Sequence, residues 1–390
     1  MVATPSPGAP PGERPEPEPG RLRYIPALDG MRGLSLPGTI LTHYAIFLYG
    51  RPSAPSWLLH TGPLTLNIQM FFVLSGALIT SMLVSEHVRT DAISLKTFYL
   101  RRSRRLGPAL VALLPIMAVV QLFWTGHAAD SPLGEHPARA LIAVALFVGN
   151  WVLFAVPGGI SWLGPAWTLG IEEQFYLTWP AVLRVLRRRR VSRAMVLTGF
   201  LVATGVTIGI ASILIEHHGV KRSFYATPTQ LPSILCGCAL GYELSTNAGG
   251  RLARLVKSRI VALAGLAGMV VVSIELAGNA PFLYHGGYVL YAASACLLIG
   301  HCFVVAGNDT FVTKFFGWKP FTVVGQISYE AYLIHVIAIL GVAMVLPHLH
   351  VYPMMLLDAT ITAVVSAAFY YLIEQPIRRK GWKAFFARLT

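Results

Sequence analysis

The chain has 390 residues, of which 55% are hydrophobic and only 12% are charged, and its mean hydropathy is +0.60. This composition excludes an ordinary soluble domain and is typical of a protein that crosses the membrane several times, since each crossing needs roughly 20 apolar residues. The net charge is +14. Its basic residues stand in clusters between apolar segments, so the positive-inside rule explains them better than nucleic-acid binding does.

The chain begins with a proline-rich tail. Residues 1–20 contain seven prolines and three glutamates but no long apolar run, so a secretory signal peptide is not predicted. We interpret residues 1–23 as a disordered cytoplasmic tail. Residues 24–380 would form the membrane domain, and residues 381–390 a short basic cytoplasmic tail.

Eleven apolar segments follow the tail and predict an all-α membrane helix bundle. They lie near residues 27–50, 63–85, 105–124, 138–155, 167–186, 194–215, 229–246, 259–278, 286–306, 322–346 and 352–373. Three segments lie between the arginine clusters at 101–105 and 187–190, and three crossings would put the clusters on opposite sides of the membrane. If both clusters are cytoplasmic, one of the three segments does not cross. We choose the fourth, which is short and broken at Gly149-Asn150, and predict a re-entrant or bent element over an internal cavity. The prediction is about ten transmembrane helices with both termini in the cytoplasm.

The first segment carries an arginine and a histidine on nearly the same helix face. His43 follows Arg32 by eleven positions, a rotation that returns to within about 20° and a rise of about 16 Å. Asp29 lies three residues before Arg32 on that face. Ionisable groups at membrane depth are costly and usually functional, although a histidine bonded to a neighbouring helix is the structural alternative.

The second and third segments supply a small-residue pair and an arginine cluster. Ser75-Gly76 predicts a packing face, because a nucleophilic serine would need a base within reach. Arg102 and Arg105 share one helix face, and four arginines without lysine between residues 101 and 105 favour bidentate anion binding. The anion could be the phosphate of a metabolite or of a lipid headgroup.

Later segments add acidic and imidazole groups. Glu172 and Glu173 open the fifth segment, where one could pair with an arginine and the other could orient or relay a proton from a histidine. His335 lies near the middle of the tenth segment. Glu374 is interpreted as solvated or paired with Arg378. The four cysteines are interpreted as apolar free thiols rather than metal or redox groups, and no metal site is predicted. They are Cys236, Cys238, Cys296 and Cys302.

Five motifs in order make the chain resemble the acyltransferase 3 family of bacterial membrane proteins. The resemblance extends over about residues 24–380 and has two departures, Gln69-Met70 in place of Val-Asp and Gly170-Ile171 in place of small-Val. Many family members carry an extracytoplasmic hydrolase-like domain after the spans; we expect none in this sequence, which ends at Thr390. The motifs are Arg32-x10-His43, Phe71-Phe72-Val-Leu-Ser75-Gly76, Arg102-x-x-Arg105-Leu-x-Pro108, Trp167-x-Leu-x-x-Glu172-Glu173-Gln174-Phe175-Tyr176-Leu177 and Ser328-x-x-x-Tyr332-Leu-x-His335.

The resemblance implies an enzyme of the bacterial cell membrane that transfers an acyl group, commonly acetyl, from acyl-coenzyme A to a hydroxyl. The acceptor would be a glycan, a glycolipid or a macrolide, membrane lipid would surround the protein, and no tightly bound cofactor is expected. His43 is the candidate base or acyl carrier, with Arg32 and Asp29 beside the donor. Glu172, Glu173 and His335 are further catalytic candidates, and Arg102 and Arg105 would hold coenzyme A phosphates. The alternative is a proton-coupled transporter or flippase that uses the same buried groups, although no internal repeat supports a transporter.

Overall fold

The computed structural model describes residues 24–48, 56–60, 64, 66–125, 137–155, 166–276, 282–306 and 310–382. Every regular element in these ranges is helical, which confirms the all-α prediction. The predicted tail of residues 1–23 lies outside the described residues, as does the predicted tail of residues 381–390 beyond Trp382.

We number sixteen α-helices within the described part of the chain. Short 3-10 and π segments occupy Ser56–His60, Leu283–Gly287 and Tyr370–Glu374. The α-helices are α1 Pro26–Leu48, α2 Asn67–Thr90, α3 Leu95–Thr125, α4 Pro137–Ala145, α5 Gly149–Ala155, α6 Trp167–Arg188, α7 Arg193–Ser223, α8 Thr227–Thr246, α9 Arg251–Val256, α10 Arg259–Leu276, α11 Tyr288–Val304, α12 Phe311–Phe316, α13 Lys319–Gln326, α14 Ser328–Val345, α15 Val351–Phe369 and α16 Gln375–Lys380.

Five helical stretches of the described chain are long and apolar enough to cross a bilayer. Their length and composition agree with the predicted membrane location. The count of about ten spans, the re-entrant element and the cytoplasmic termini stay predictions. The five stretches are Asn67–Thr90, Arg193–Ser223, His285–Val304, Ser328–Val345 and Val351–Lys380.

The fourth apolar segment is broken, as predicted. Helices α4 and α5 have nine and seven residues, too few for either to span a bilayer alone. A turn separates them, in which Phe147 has a φ of 58°. The Gln174 amide donates to the carbonyl of Phe147 at 2.9 Å and to Oδ1 of Asn150 at 3.0 Å. It also accepts from the Thr227 hydroxyl at 2.7 Å, so neighbouring helices satisfy the irregular backbone.

The apolar run near residues 322–346 is two helices rather than the single segment predicted. Helix α13 ends at Gln326, and α14 begins at Ser328. The Ser328 hydroxyl donates to the carbonyl of Gly325 at 2.8 Å, which satisfies a carbonyl at the end of α13. Gln326 and Ser328 mark this break, but the apolar residues further out on both sides led to a single predicted segment.

Small residues bring the α2 and α8 backbones into direct contact. A Cβ atom at Gly76 would fall on the carbonyl oxygen of Ile234, and one at Gly237 on that of Val73. The interpretation of Ser75-Gly76 as a packing face is therefore confirmed for the glycine. Beside it the Gln69 amide, which is fully buried, donates to Gln230 and accepts from Ser233, each at 2.6 Å.

Helix α1 is held at both ends. Near its start, Cβ atoms at Gly30 and Gly33 would fall on the carbonyl oxygens of Phe316 and Phe321, so its backbone lies directly against α12 and α13. Near its end, the Tyr44 hydroxyl donates to Oδ2 of Asp358 in α15 at 2.9 Å.

Candidate active site

The first two candidate residues of α1 lie beside one another. A guanidinium nitrogen of Arg32 lies 3.4 Å from Oδ1 of Asp29, as expected for a spacing of three on a helix. The Tyr24 hydroxyl donates to the other oxygen of that carboxylate at 2.8 Å. Asp29 therefore orients the arginine and offsets part of its charge.

His43 and His335 form a pair across the α1–α14 interface. Nε2 of His335 lies 3.1 Å from Nδ1 of His43, and the two rings meet edge to face with centroids 4.8 Å apart. Nδ1 of His43 also lies 2.9 Å from the carbonyl oxygen of Thr39. His335 is 1% exposed. His43 is therefore bonded to a neighbouring helix, as in the structural alternative considered from the sequence, and its catalytic role stays a prediction.

The two adjacent glutamates of α6 have different surroundings. The Ser75 hydroxyl donates to Oε1 of Glu172 at 2.6 Å, and the Tyr176 hydroxyl donates to Ser75 Oγ at 3.0 Å. Oε1 of Glu173 is buried without a hydrogen-bond partner. Within the described residues neither glutamate forms an ion pair with an arginine, whereas Arg378 pairs with Glu374 at 3.0 Å as predicted.

Arginines line a large cavity next to α3, which we call the basic cavity. Its volume is about 570 Å³, in the range of pockets that hold drug-sized ligands. Glu86 is the acidic residue in its wall and already pairs with Arg101 at 2.8 Å. The arginines that line it are Arg89, Arg101, Arg102, Arg104, Arg105 and Arg378.

A smaller cavity, the inner cavity, adjoins the basic cavity. Its volume is about 100 Å³. Arg102 and Arg105 line both cavities, and Arg105 also borders a third that contains Asp29 and Arg32. Apolar side chains and a few polar groups complete the inner wall, among them Arg32, Ser75, Thr168, Glu172, Tyr176 and Tyr332.

The two candidate arginines of α3 have few partners within the described chain. The Arg102 guanidinium lies over the ring of Tyr176, 3.6 Å from its centroid, and its Nε is buried without a hydrogen-bond partner. Arg105 makes no hydrogen bond or ion pair with any described residue. Guanidinium groups that lack partners beside a cavity are suited to binding an anion.

Tyr332 connects the inner cavity with the histidine pair. Its ring lines the cavity and lies 5.6 Å, centroid to centroid, from that of His335. The Thr168 hydroxyl donates to the Tyr332 hydroxyl at 2.9 Å. The contacts between the inner cavity and His43 therefore pass through Tyr332 and His335, and His43 itself does not line the inner cavity.

The structure brings most of the predicted residues together along this route. Glu172, Arg102 and Arg105 line the inner cavity with Arg32, and His43 meets His335 beyond it, whereas Glu173 does not line the cavity. The sequence analysis assigned no catalytic or binding role to four further polar residues. Three of them lie within the recognised motifs, which is the signal that could have identified them. The residues are Ser75, Thr168, Tyr176 and Tyr332.

Comparison with known proteins gives one family and a group of related enzymes. A family described as "Acyltransferase domain" matches residues 25–374. The O-acetyltransferase OatA of Staphylococcus aureus is 30% identical over 377 residues, which are 93% of this chain and 58% of the relative. The peptidoglycan O-acetyltransferase OatA of Listeria monocytogenes is 27% identical over 384 residues, or 93% and 57%. The chain thus spans just over half the length of these relatives, and no solved structure matches it.

Proposed function

The chain belongs to this acyltransferase family, and from that premise we propose that it is a membrane O-acetyltransferase using acetyl-coenzyme A as donor. Membership confirms the resemblance that the five motifs predicted, and it supports the expectation of an acyl-transferring enzyme. It also favours the enzyme over the transporter alternative.

The state of Arg105 is the observation that supports this donor most directly. Arg105 borders all three cavities, forms no hydrogen bond or close ion pair with a described residue, and lies on one helix with three more arginines of the basic cavity. Coenzyme A carries several phosphate groups, and each can accept bidentate hydrogen bonds from a guanidinium. We assign Arg102 and Arg105 to the donor phosphates.

The inner cavity would hold part of the arm that joins the donor phosphates to the thioester. Its walls are mainly apolar, which suits an uncharged arm. Arg32, oriented by Asp29, and Glu172, bonded to Ser75, are polar groups in its wall that would position this arm. The thioester would then lie towards His43, about 16 Å from Arg32 along α1.

His43 is assigned the central chemical step. A hydroxyl needs a base before it can attack a thioester, and neutral imidazole near pH 7 can serve as that base or take the acyl group itself. Both roles require a lone pair on one ring nitrogen. His335 assists from the opposite helix.

The acceptor is proposed to be a hydroxyl of a cell-envelope glycan. The support is the name of the Listeria relative, a peptidoglycan O-acetyltransferase. A glycan outside the membrane would meet the acyl group at the end of α1 that carries His43, because the arginines at the other end are predicted to be cytoplasmic.

The test is transfer of radiolabelled acetyl from acetyl-coenzyme A by the purified protein in detergent, with glycan oligosaccharides as acceptors. Release of coenzyme A is followed in parallel by mass spectrometry, because the four free cysteines would react with a thiol reagent. The His43→Ala variant keeps all four cysteines and serves as the blank. If the wild type releases no more coenzyme A than this blank, the proposed use of acetyl-coenzyme A as donor is refuted.

A further inference from the structure

The contacts of the histidine pair determine which ring nitrogens carry the protons. Nδ1 of His43 faces the carbonyl oxygen of Thr39 at 2.9 Å, and Nδ1 of His335 faces that of Ala331 at 3.2 Å. A carbonyl oxygen only accepts hydrogen bonds. An unprotonated Nδ1 would place its lone pair against the carbonyl, so both neutral rings are protonated at Nδ1.

This assignment fixes the direction of the bond between the rings. With Nδ1 of His335 protonated, its Nε2 carries the lone pair and accepts a hydrogen bond. The group facing it at 3.1 Å is the protonated Nδ1 of His43, which therefore donates to both the Thr39 carbonyl and His335. If the proton of His43 were on Nε2 instead, two lone pairs would face each other between the rings. If the proton of His335 were on Nε2 instead, two protons would face each other.

The remaining nitrogen of His43 is Nε2, and it is left with the lone pair. This is the nitrogen that the proposed transfer needs, whether it takes a proton or an acyl group. In either event the ring becomes positively charged, and the Nδ1–H bond to His335 becomes charge-assisted and stronger. The second ring therefore serves the function that a carboxylate serves beside many catalytic histidines.

We propose that His335 is a positioning residue, which holds His43 in the tautomer whose Nε2 is unprotonated and stabilises the cation formed there. This rests on the proposed function, but the tautomer is a property of the resting protein and can be measured without activity. His335 does not line the inner cavity, so donor binding should not depend on it.

The first measurement is nitrogen NMR on the full chain in lipid, with ¹⁵N-labelled histidine. Resonances of His43 are identified by their loss in His43→Gln. We expect the Nδ1 shift of a protonated nitrogen and the Nε2 shift of an unprotonated one. The opposite pattern in the wild type overturns the inference, whatever the protein catalyses.

The second measurement compares two substitutions of His335 by steady-state kinetics. Leucine removes the acceptor, and we expect kcat to fall about 10- to 100-fold, the usual cost of removing such a supporting partner, with donor KM unchanged. Glutamine can place its carbonyl oxygen near the position of Nε2 and should restore most of kcat. A leucine variant with wild-type kcat, or a glutamine variant as impaired as leucine, contradicts a positioning role.

The control is a second buried histidine outside the site. His301 is 0% exposed and bonds the carbonyl of Val256 at 2.9 Å and the Thr310 hydroxyl at 3.1 Å. His301→Leu should lower the thermal midpoint to a similar extent while changing kcat less than about twofold. A comparable loss of kcat in this control would assign the effect of His335→Leu to general destabilisation. If the wild type transfers no acetyl group, the proposed function fails, and the NMR result still decides the tautomer.

Discussion

The polar side chains of the site differ in how completely their hydrogen-bonding groups are satisfied. Glu172 is bonded to Ser75, and His43 is bonded to Thr39 and His335. Arg105, in contrast, forms no hydrogen bond with a described residue although its guanidinium has five donors. The residues that lack partners mark where a charged ligand is expected, and the satisfied ones mark where geometry must be held constant.

Replacement of His43 by alanine should abolish transfer while leaving expression and membrane insertion intact. Loss of a general base typically costs 10²- to 10⁴-fold in rate. The measurement is acetyl transfer by purified protein, with His60→Ala as control, since His60 is an exposed histidine outside the cavities. Activity above about a tenth of wild type in His43→Ala would make the assignment wrong.

Lysine at position 102 or 105 should weaken donor binding selectively. Lysine keeps the charge but lacks the planar fork that binds phosphate bidentately. Loss of one charge-assisted bond, about 1.5–3 kcal/mol, corresponds to roughly a 10- to 150-fold higher donor KM. Acceptor KM should change little.

The control for the arginine variants is Arg193→Lys, which alters an ion pair with Glu243 away from the cavities. If donor KM is unchanged in both Arg102→Lys and Arg105→Lys, the arginine cluster serves only to fix the orientation of the protein in the membrane. A change confined to acceptor KM would show that these arginines bind an anionic group of the acceptor.

At the scale of helices, glycine contacts fix how the site-bearing elements lie against one another. Gly76 and Gly237 join α2 to α8, and Gly30 and Gly33 join α1 to the α12–α13 pair. Helices in lipid associate through such close packing rather than through the hydrophobic effect. The positions of Ser75 and Arg32 therefore depend on neighbouring glycines.

Alanine at position 76 should destabilise the protein, because its Cβ would collide with the backbone of α8. Overpacking of this kind costs about 1–3 kcal/mol. The measurement is the thermal midpoint in detergent, compared with Gly205→Ala, since a Cβ at Gly205 meets no atom within 4 Å. Equal midpoints for the two variants would contradict the close α2–α8 contact.

Sequence reasoning was most successful within single helices. The Asp29–Arg32 contact and the Glu374–Arg378 pair follow from spacings of three and four residues. The break before Gly149 was visible because glycine and asparagine interrupt the apolar run. The break at Ile327 was missed although Gln326 and Ser328 flank it, because hydropathy does not report backbone hydrogen bonds.

Contacts between helices could not be predicted in the same way. His43 and His335 are separated by 292 residues, and no spacing rule relates positions on different helices. Each histidine was recognised separately as a costly intramembrane group. Their bond depends on how α1 and α14 pack, which a single sequence does not specify.

At the scale of the whole molecule, basic residues and cavities define one end of the bundle. The basic cavity contains six arginines, whereas the polar pair Tyr44–Asp358 lies near the opposite end of α1. The positive-inside rule predicts that the arginine-rich end is cytoplasmic, where acetyl-coenzyme A is available. The proposed reaction then proceeds from the cytoplasmic side towards the outside.

Topology can be tested by labelling single cysteines with an impermeant reagent from outside intact cells, in a background without the four native cysteines. Positions 101–105 and 187–190 should remain unlabelled. Positions 126–135, whose structure lies outside the described residues, and position 348 should be labelled. External labelling at either arginine cluster would contradict both the orientation and the non-crossing fourth segment.

Because α1 is fixed at both ends, it sets the distance that the donor must span to reach His43. Gly30 and Gly33 hold one end, and the Tyr44–Asp358 bond holds the other. The eleven helical positions from Arg32 to His43 therefore fix the distance between these two residues along α1 at about 16 Å, and the ligand cannot change it. We expect truncated thioesters such as S-acetyl-N-acetylcysteamine to lose kcat as well as affinity, since remote binding energy no longer positions the acyl group. Selection among thioesters would then depend on whether the length of the carrier arm matches the distance from Arg32 to His43 along α1.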